Sequence, residues 1–351
     1  MSLTKSFFKR STNITAKVIC DSINEQGVRL TTFEIEYPRF IHSELMTHRS
    51  LSKNSSSSRA IPIQKMIDQI ESNMAVPIYW GKNKSGMQAV EEVSKFDEAK
   101  SVLNWEQSFN YTKDRVKDMV DIGLHKQVPN RLTEPFQMMK VVITGTDWDN
   151  FFNLRIHPDA QPEICMLAYK MYKSMEASKT NLLKQGEWHL PYVEVERWGD
   201  ELKYYVFDVS FDDDQSYGMK YEKYLELDEA IKISAASCAS VSYRTEGMTL
   251  EKADKIFDML IKAEVVHSSP LEHCATPIVE KFEYFDKEDL DTGYEVNLPL
   301  HPDSWEDGIT HVNKQGELCS GNLRSWIQYR HLLPNNTCWK FDFEERMKMF
   351  K

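Results

Sequence analysis

The 351-residue chain lacks several features, and each absence excludes a class. No apolar run approaches the ~20 residues of a membrane span, so no membrane association is expected. The opening residues, MSLTKSFFKRSTN, hold no apolar stretch of signal-peptide length, and the expected location is cytoplasmic. The six cysteines, at 20, 165, 238, 274, 319 and 338, form no CxxC pair. A zinc site of the usual spacing is therefore not expected, and no metal is assigned. Nor are the cysteines dense enough for a disulfide scaffold, so reduced thiols are expected. No cluster of Lys and Arg stands out, and the formal net charge is −11. That balance argues against a polymeric nucleic acid as partner. An anion site, if present, has to be local and built from a few residues.

What is present suits a soluble globular protein. Hydrophobic residues make up 41% and charged residues 28%, ordinary values for such a chain. This length buries roughly three quarters of the unfolded surface and allows two intimately packed halves.

The pattern along the chain predicts a mixed α/β (α+β) fold. Residues 15–37 read as strand, Gly27 turn, strand, with Phe33, Ile35 and Tyr37 on one face. Pro38 ends the second strand, and RFIHSELMTHR reads as a helix burying Ile41, Leu45 and Met46. SLSKNSSSSRAIP reads as a polar loop. Helical patterns follow over about 63–72 and 89–124. MMKVVITG is a buried strand or a buried helix; composition does not decide. Helices are predicted at about 148–155 and 162–177, the second opening on Pro162 and Glu163. Residues 14–178 form one half, 179–200 a polar connector, and 201–351 a second half intertwined with the first. In the second half YYVFDVS and PIVEKFEYF read as strands around an acidic DDDQ loop. Residues 228–240, 250–263 and NLRSWIQYRHLL read as helices, and about 286–320 as irregular.

The chemistry concentrates in Thr47-His48-Arg49-Ser50-Leu51-Ser52-Lys53-Asn54-Ser55-Ser56-Ser57-Ser58-Arg59. Adjacent serines also suit a flexible linker. Serine hydroxyls and successive backbone amides can equally form an anion nest. An Arg at its edge can grip two phosphate oxygens with its planar fork. His48 and Arg49 can contact a second polar ligand.

The spacing HRxxSxNxxSxR resembles the signature of the flavin-dependent thymidylate synthases (ThyX), RHRxxSxxxxSxR. His48, Arg49, Ser52, Ser57 and Arg59 match it in register, and Asn54 fits many members. The first Arg of the signature is Thr47 here. NFFNLRIHPDAQPEI, from 150 to 164, resembles the family's NFxxLR…AQxEI helix, with Cys165 where many members carry Arg. CASVSY (238–243) and HSSPLEHCA (267–275) resemble two blocks, ARVSF and HxT/SPxEH, that normally precede the signature. Here they follow it. The resemblance therefore implies a rearranged ThyX-like fold of the kind found in bacteriophages, circularly permuted or partly duplicated, with a mixed or antiparallel sheet packed by long helices.

The resemblance further implies FAD-dependent methylation of dUMP to dTMP. Methylenetetrahydrofolate donates the carbon and NADPH is the reductant. Ser57, Ser58 and Arg59 would hold the dUMP phosphate, with Arg155 beside the uracil; Arg155, Arg59 and Ser57 are the catalytic candidates. His48, Arg49, Asn54 and Asn150 would position the flavin, met by Ser242, His267 and Ser269 from the other block. A homo-oligomer, tetramer or dimer, is implied. Thr47 and Cys165 leave two alternatives open: another flavin-dependent change to the pyrimidine, such as hydroxymethylation, or a nucleotide-binding homologue without catalysis.

Overall fold

The computed structural model describes residues 7–86, 89, 91–210, 219–242, 248–278 and 305–350. The first strands are β1 (Thr15–Asn24) and β2 (Arg29–Pro38), followed by the short helix α1 (His42–Met46) and β3 (Ser52–Ser55). Then come α2 (Ile63–Ser72), α3 (Lys95–Asp121), α4 (Pro129–Leu132), β4 (Met138–Gly145), α5 (Asp149–Arg155) and α6 (Pro162–Ala177). Next are β5 (Asn181–Leu183), β6 (Glu194–Trp198), β7 (Glu201–Ser210), β8 (Met219–Leu225), α7 (Leu227–Ala239) and α8 (Leu250–Ile261). The described chain closes with β9 (Ala275–Pro277), β10 (His311–Val312), β11 (Leu318–Ser320), β12 (Leu323–Arg324), β13 (Trp326–Gln328) and α9 (Phe343–Met347).

The central sheet has the order β3-β4-β2-β1-β5. Only β1 and β5 run parallel; the other neighbours are antiparallel. The fold is thus mixed α/β, as the alternation of patterns predicts. The β1–β2 turn is set by Gly27 at φ 79° and by Asn24, whose side-chain oxygen accepts from the Val28 amide at 2.8 Å. Only a residue without Cβ takes that backbone freely.

The sheet's two faces have different partners. Phe33, Ile35 and Tyr37 of β2 and Val141 and Ile143 of β4 are fully buried against Phe151, Ile164, Leu167 and Met171 of α5 and α6. Each such side chain contributes roughly 1.5–3 kcal/mol by leaving water. The opposite face carries Thr32, Val142 and Thr144, and α7 lies against it through Cys238. That helix is buried nearly all round, and a reciprocal Glu226–Glu229 capping box fixes its start.

Several local readings are corrected. Ser52–Ser55 is a strand, not part of a loop: it pairs antiparallel with the free edge of β4, Ser52 opposite Thr144 and Asn54 opposite Val142. Backbone pairing at a hydrophobic edge outweighs the weak strand preference of Ser and Asn. Met46 is 48% exposed, because α1 is little more than one turn and only Ile41 and Leu45 share its inner side. The long helix starts at Lys95, capped by Ser94, and leaves Phe96 and Leu103 exposed. Residues 178–200 are not merely polar: Leu183, Trp188, His189 and Leu190 are buried. NLRSWIQYRHLL is two short strands and a 3-10 turn, not a helix. Trp326 and Ile327 enter different clusters, so consecutive side chains point opposite ways, and Ser325 breaks the run at φ 59°. The DDDQ loop, Tyr243, and residues 279–304 of the predicted strand and irregular segment lie outside the described residues.

Candidate functional site

β3 is an edge strand held between two arginines. Arg49 precedes it and Arg59 follows it; both are exposed and have no acidic partner among the described residues. The Lys53 amine donates to the carbonyls of His48 and Leu51, which closes the turn into the strand. Partial burial pushes the Lys53 pKa down to about 8. Beyond the strand, buried Asn130 of α4 donates to the Ser58 and Ile61 carbonyls at 2.8 and 2.9 Å. The serine loop is therefore pinned rather than free.

Segments distant in sequence reach this strand. The Ser57 amide donates to Ser242 Oγ at 2.7 Å, and Asn54 Nδ2 to the Cys238 carbonyl at 3.3 Å. The 3-10 turn Ser269–Glu272 packs on β3. Gln328 Nε2 donates both to Ser52 Oγ and to the Glu272 carbonyl, each at 3.2 Å. His267 is exposed and reaches the fold through its amide, which donates to Leu260 at 2.9 Å.

A second group forms on the other side of the signature. Arg155 Nε donates to His48 Nε2 at 2.8 Å, its Nη1 meets Glu44 at 3.1 Å, and its Nη2 reaches Thr47 Oγ1 at 3.3 Å. Arg155 comes from the last turn of α5, whose Phe151 packs edge-on to the His48 ring. Burial, then the neighbouring Arg155 and Lys53 charges, pushes the His48 pKa down to about 4. His48 is therefore neutral near pH 7 and carries its proton on Nδ1, leaving Nε2 as the acceptor. Asn150 lies exposed in the first turn of the same helix.

Two cavities flank the signature. One, about 360 Å³, is lined by Ser56, Ser58 and Ser242 together with Arg39, Lys65 and Lys140. Its Glu36 has a raised pKa, chiefly through burial. The other, about 680 Å³, is lined by Glu44 and Arg155 with Phe40, Tyr79 and Trp105. Within one chain, Ser58 and Arg155 thus face different cavities.

Beneath β3 a buried chain of hydrogen bonds crosses the sheet. Ser22 Oγ meets His189 Nδ1 at 2.8 Å, and His189 Nε2 meets Thr32 Oγ1 at 2.8 Å. Thr32 meets Thr144 at 2.6 Å, and Thr144 meets His273 Nδ1 at 2.7 Å. Burial pushes both histidine pKa values down to about 3. His273 Nε2 has no partner among the described residues.

Residues 28–178 match the family model described as thymidylate synthase complementing protein, the ThyX family. Over that span the chain is similar to the ThyX family. None of the curated proteins matches the chain. Among solved structures it is similar to the UMP/dUMP methylase PolB from Streptomyces cacaoi bound with 5-Br UMP, at 18% identity and TM-score 0.41. That likeness covers 47% of this chain and 89% of PolB. The same protein bound with 5-Br dUMP gives 17% identity and TM-score 0.40, over 47% of this chain and 90% of PolB.

The span matched by the family model contains His48, Arg49, Asn54, Ser57, Ser58, Arg59, Asn150 and Arg155. Ser242, His267 and Ser269 lie outside it. Sequence reading missed Glu44, Lys53, Asn130, His189 and Gln328. Glu44 and Lys53 sit within or beside the signature, so proximity could have flagged them. The others act from far along the chain, where only folding brings them near.

Proposed function

We propose that this chain is a flavin-dependent enzyme acting on dUMP, and that it methylates the uracil to give dTMP with methylenetetrahydrofolate as carbon donor and NADPH as reductant. The observation that carries this reading is the signature strand itself: an edge strand inside the span matched by the family model, flanked by exposed Arg49 and Arg59, which have no acidic partner among the described residues. Exposed guanidinium forks beside a pinned strand suit phosphate groups, and both dUMP and FAD carry them.

In this reading a flavin lies against the signature segment. His48, Arg49, Asn54 and Asn150 would hold it, with Ser242, His267 and Ser269 contributing from the second block. When bound and reduced by NADPH, FAD supplies the hydride that completes the methyl group. Ser57, Ser58 and Arg59 would hold the dUMP phosphate. Arg155 would stand beside the uracil, where a cation stabilises negative charge developing on the ring and favours attack from C5. Neutral His48 fixes the Arg155 fork through its Nε2. No cysteine nucleophile is assigned; Cys165 is fully buried in the core with its pKa pushed up to about 11 by burial.

Because Ser58 and Arg155 face separate cavities in one chain, the complete site forms in this reading between two copies. Arg59 and the serines of one copy meet Arg155 of the other in a homo-oligomer. The test is direct. Purified protein incubated with FAD should retain the flavin through gel filtration and bleach on anaerobic addition of NADPH. Protein that retains no flavin removes the enzyme and leaves at most a nucleotide-binding homologue.

A further inference from the structure

The three-stranded sheet β6-β7-β8 lies outside the span matched by the family model, and among its described side chains one face is turned to the core and the other to solvent. Val195, Leu202, Tyr204, Val206 and Leu225 point into the core. The alternation of strand side chains sends their neighbours to solvent. Register places Tyr205 opposite Tyr224 and Glu194, and Phe207 opposite Glu222.

The outer face therefore carries a row of aromatic rings: Trp198, Tyr224, Tyr205 and Phe207. Trp198 and Tyr224 lie 5.5 Å apart at 61°, Tyr224 and Tyr205 5.7 Å at 47°, and Tyr205 and Phe207 5.6 Å at 89°. Trp198 is 55% exposed. Four carboxylates share the face, Glu201, Glu194, Glu196 and Glu222, and the Tyr224 hydroxyl donates to the last two at 3.1 and 3.2 Å. Lys203, on the same face, is paired with Glu201 at 2.5 Å.

A solvated surface with this much aromatic area calls for a partner. The rings are mutually tilted, so they make no flat platform for stacking a sugar. Tilted rings beside carboxylates instead present negative π-faces and negative charge together, which is the complement of a cation. We propose that this face docks a Lys- and Arg-bearing segment of a partner protein. Cationic heads sit against Trp198 and Tyr224, and Glu194, Glu196 and Glu222 supply the counter-charge.

A fluorescently labelled Lys/Arg-rich peptide serves as probe, titrated against the full chain. Since the whole protein is acidic, the deciding variant removes rings and leaves charge unchanged: Trp198→Ala with Tyr224→Ala. The proposal expects affinity to fall about fivefold or more in that variant, the scale of two exposed cation–π contacts. It also expects a similar loss for Glu194→Gln with Glu222→Gln. Circular dichroism and flavin retention should stay as in the parent, which separates this result from failure of the proposed enzymatic reading. Binding untouched by ring removal would mean general charge attraction and overturn the proposal. Ring-dependent binding of an oligosaccharide in place of the peptide would overturn it too. So would a change of oligomeric state in the ring variant, which would make the face a contact between copies of this chain.

Discussion

Arg155 donates from Nε to the Nε2 of His48 at 2.8 Å, and the same guanidinium meets Glu44 at 3.1 Å. One planar fork is thus aimed by Glu44 of α1 and by His48 just beyond that helix. Lysine cannot reproduce that geometry. Arg155→Lys should lower turnover about a hundredfold, the scale of losing an oriented cation at developing charge. dUMP affinity should change much less. The check is a steady-state split of kcat from KM, with circular dichroism to show the fold intact. Unchanged kcat would contradict the assigned role.

Arg59 is exposed and unpaired among the described residues, so its removal should leave stability within about 0.5 kcal/mol of the parent. Arg59→Ala should nevertheless weaken dUMP binding by roughly 1.5–3 kcal/mol, the value of a hydrogen bond to a charged group. Calorimetric titration measures it; equal affinity in both proteins rejects the phosphate assignment.

A site shared between copies makes a stricter demand. Arg59→Ala and Arg155→Ala should each be nearly inactive alone. Mixed, unfolded and refolded together, they should regain roughly a quarter of parental activity if the assembly is a two-fold dimer, because half the dimers then carry one intact site. No recovery would place the whole site within a single chain.

The buried histidines predict a pH dependence. His189 and His273 are neutral in the folded chain, with pKa values pushed from 6.5 down to about 3. Unfolded, they take up protons near pH 6.5. Below that pH the unfolded state binds more protons, so the stability they contribute is present above pH 6.5 and drains away as pH falls toward 3. Two such groups give a slope of up to about 2.7 kcal/mol per pH unit. Urea unfolding at pH 7 and pH 5 should show the loss, and His273→Asn should reduce the slope. An identical slope in the variant would contradict the neutral, buried assignment.

Much of this was legible in the sequence. The β1–β2 hairpin, the α2 and α6 limits and the ThyX resemblance follow from alternation, helix-end residues and motif spacing. What was hidden depends on long-range partners. Ser52–Ser55 carries no strand signal of its own and becomes a strand because β4 offers an edge. Trp326 and Ile327 suit a helix or a strand equally, and separate buried clusters decide between them. Asn130 and Gln328 read as ordinary polar residues; only the fold shows Asn130 holding the serine loop and Gln328 tying β3 to the 269–272 turn.

The most direct measurement is mass analysis of the nucleotide formed from dUMP by the FAD-loaded protein, supplied with NADPH and methylenetetrahydrofolate labelled in its transferable carbon. The account predicts dTMP carrying the label in its methyl group, formed only when all three are present. A hydroxymethylated product, or unaltered dUMP from flavin-loaded protein, would contradict it.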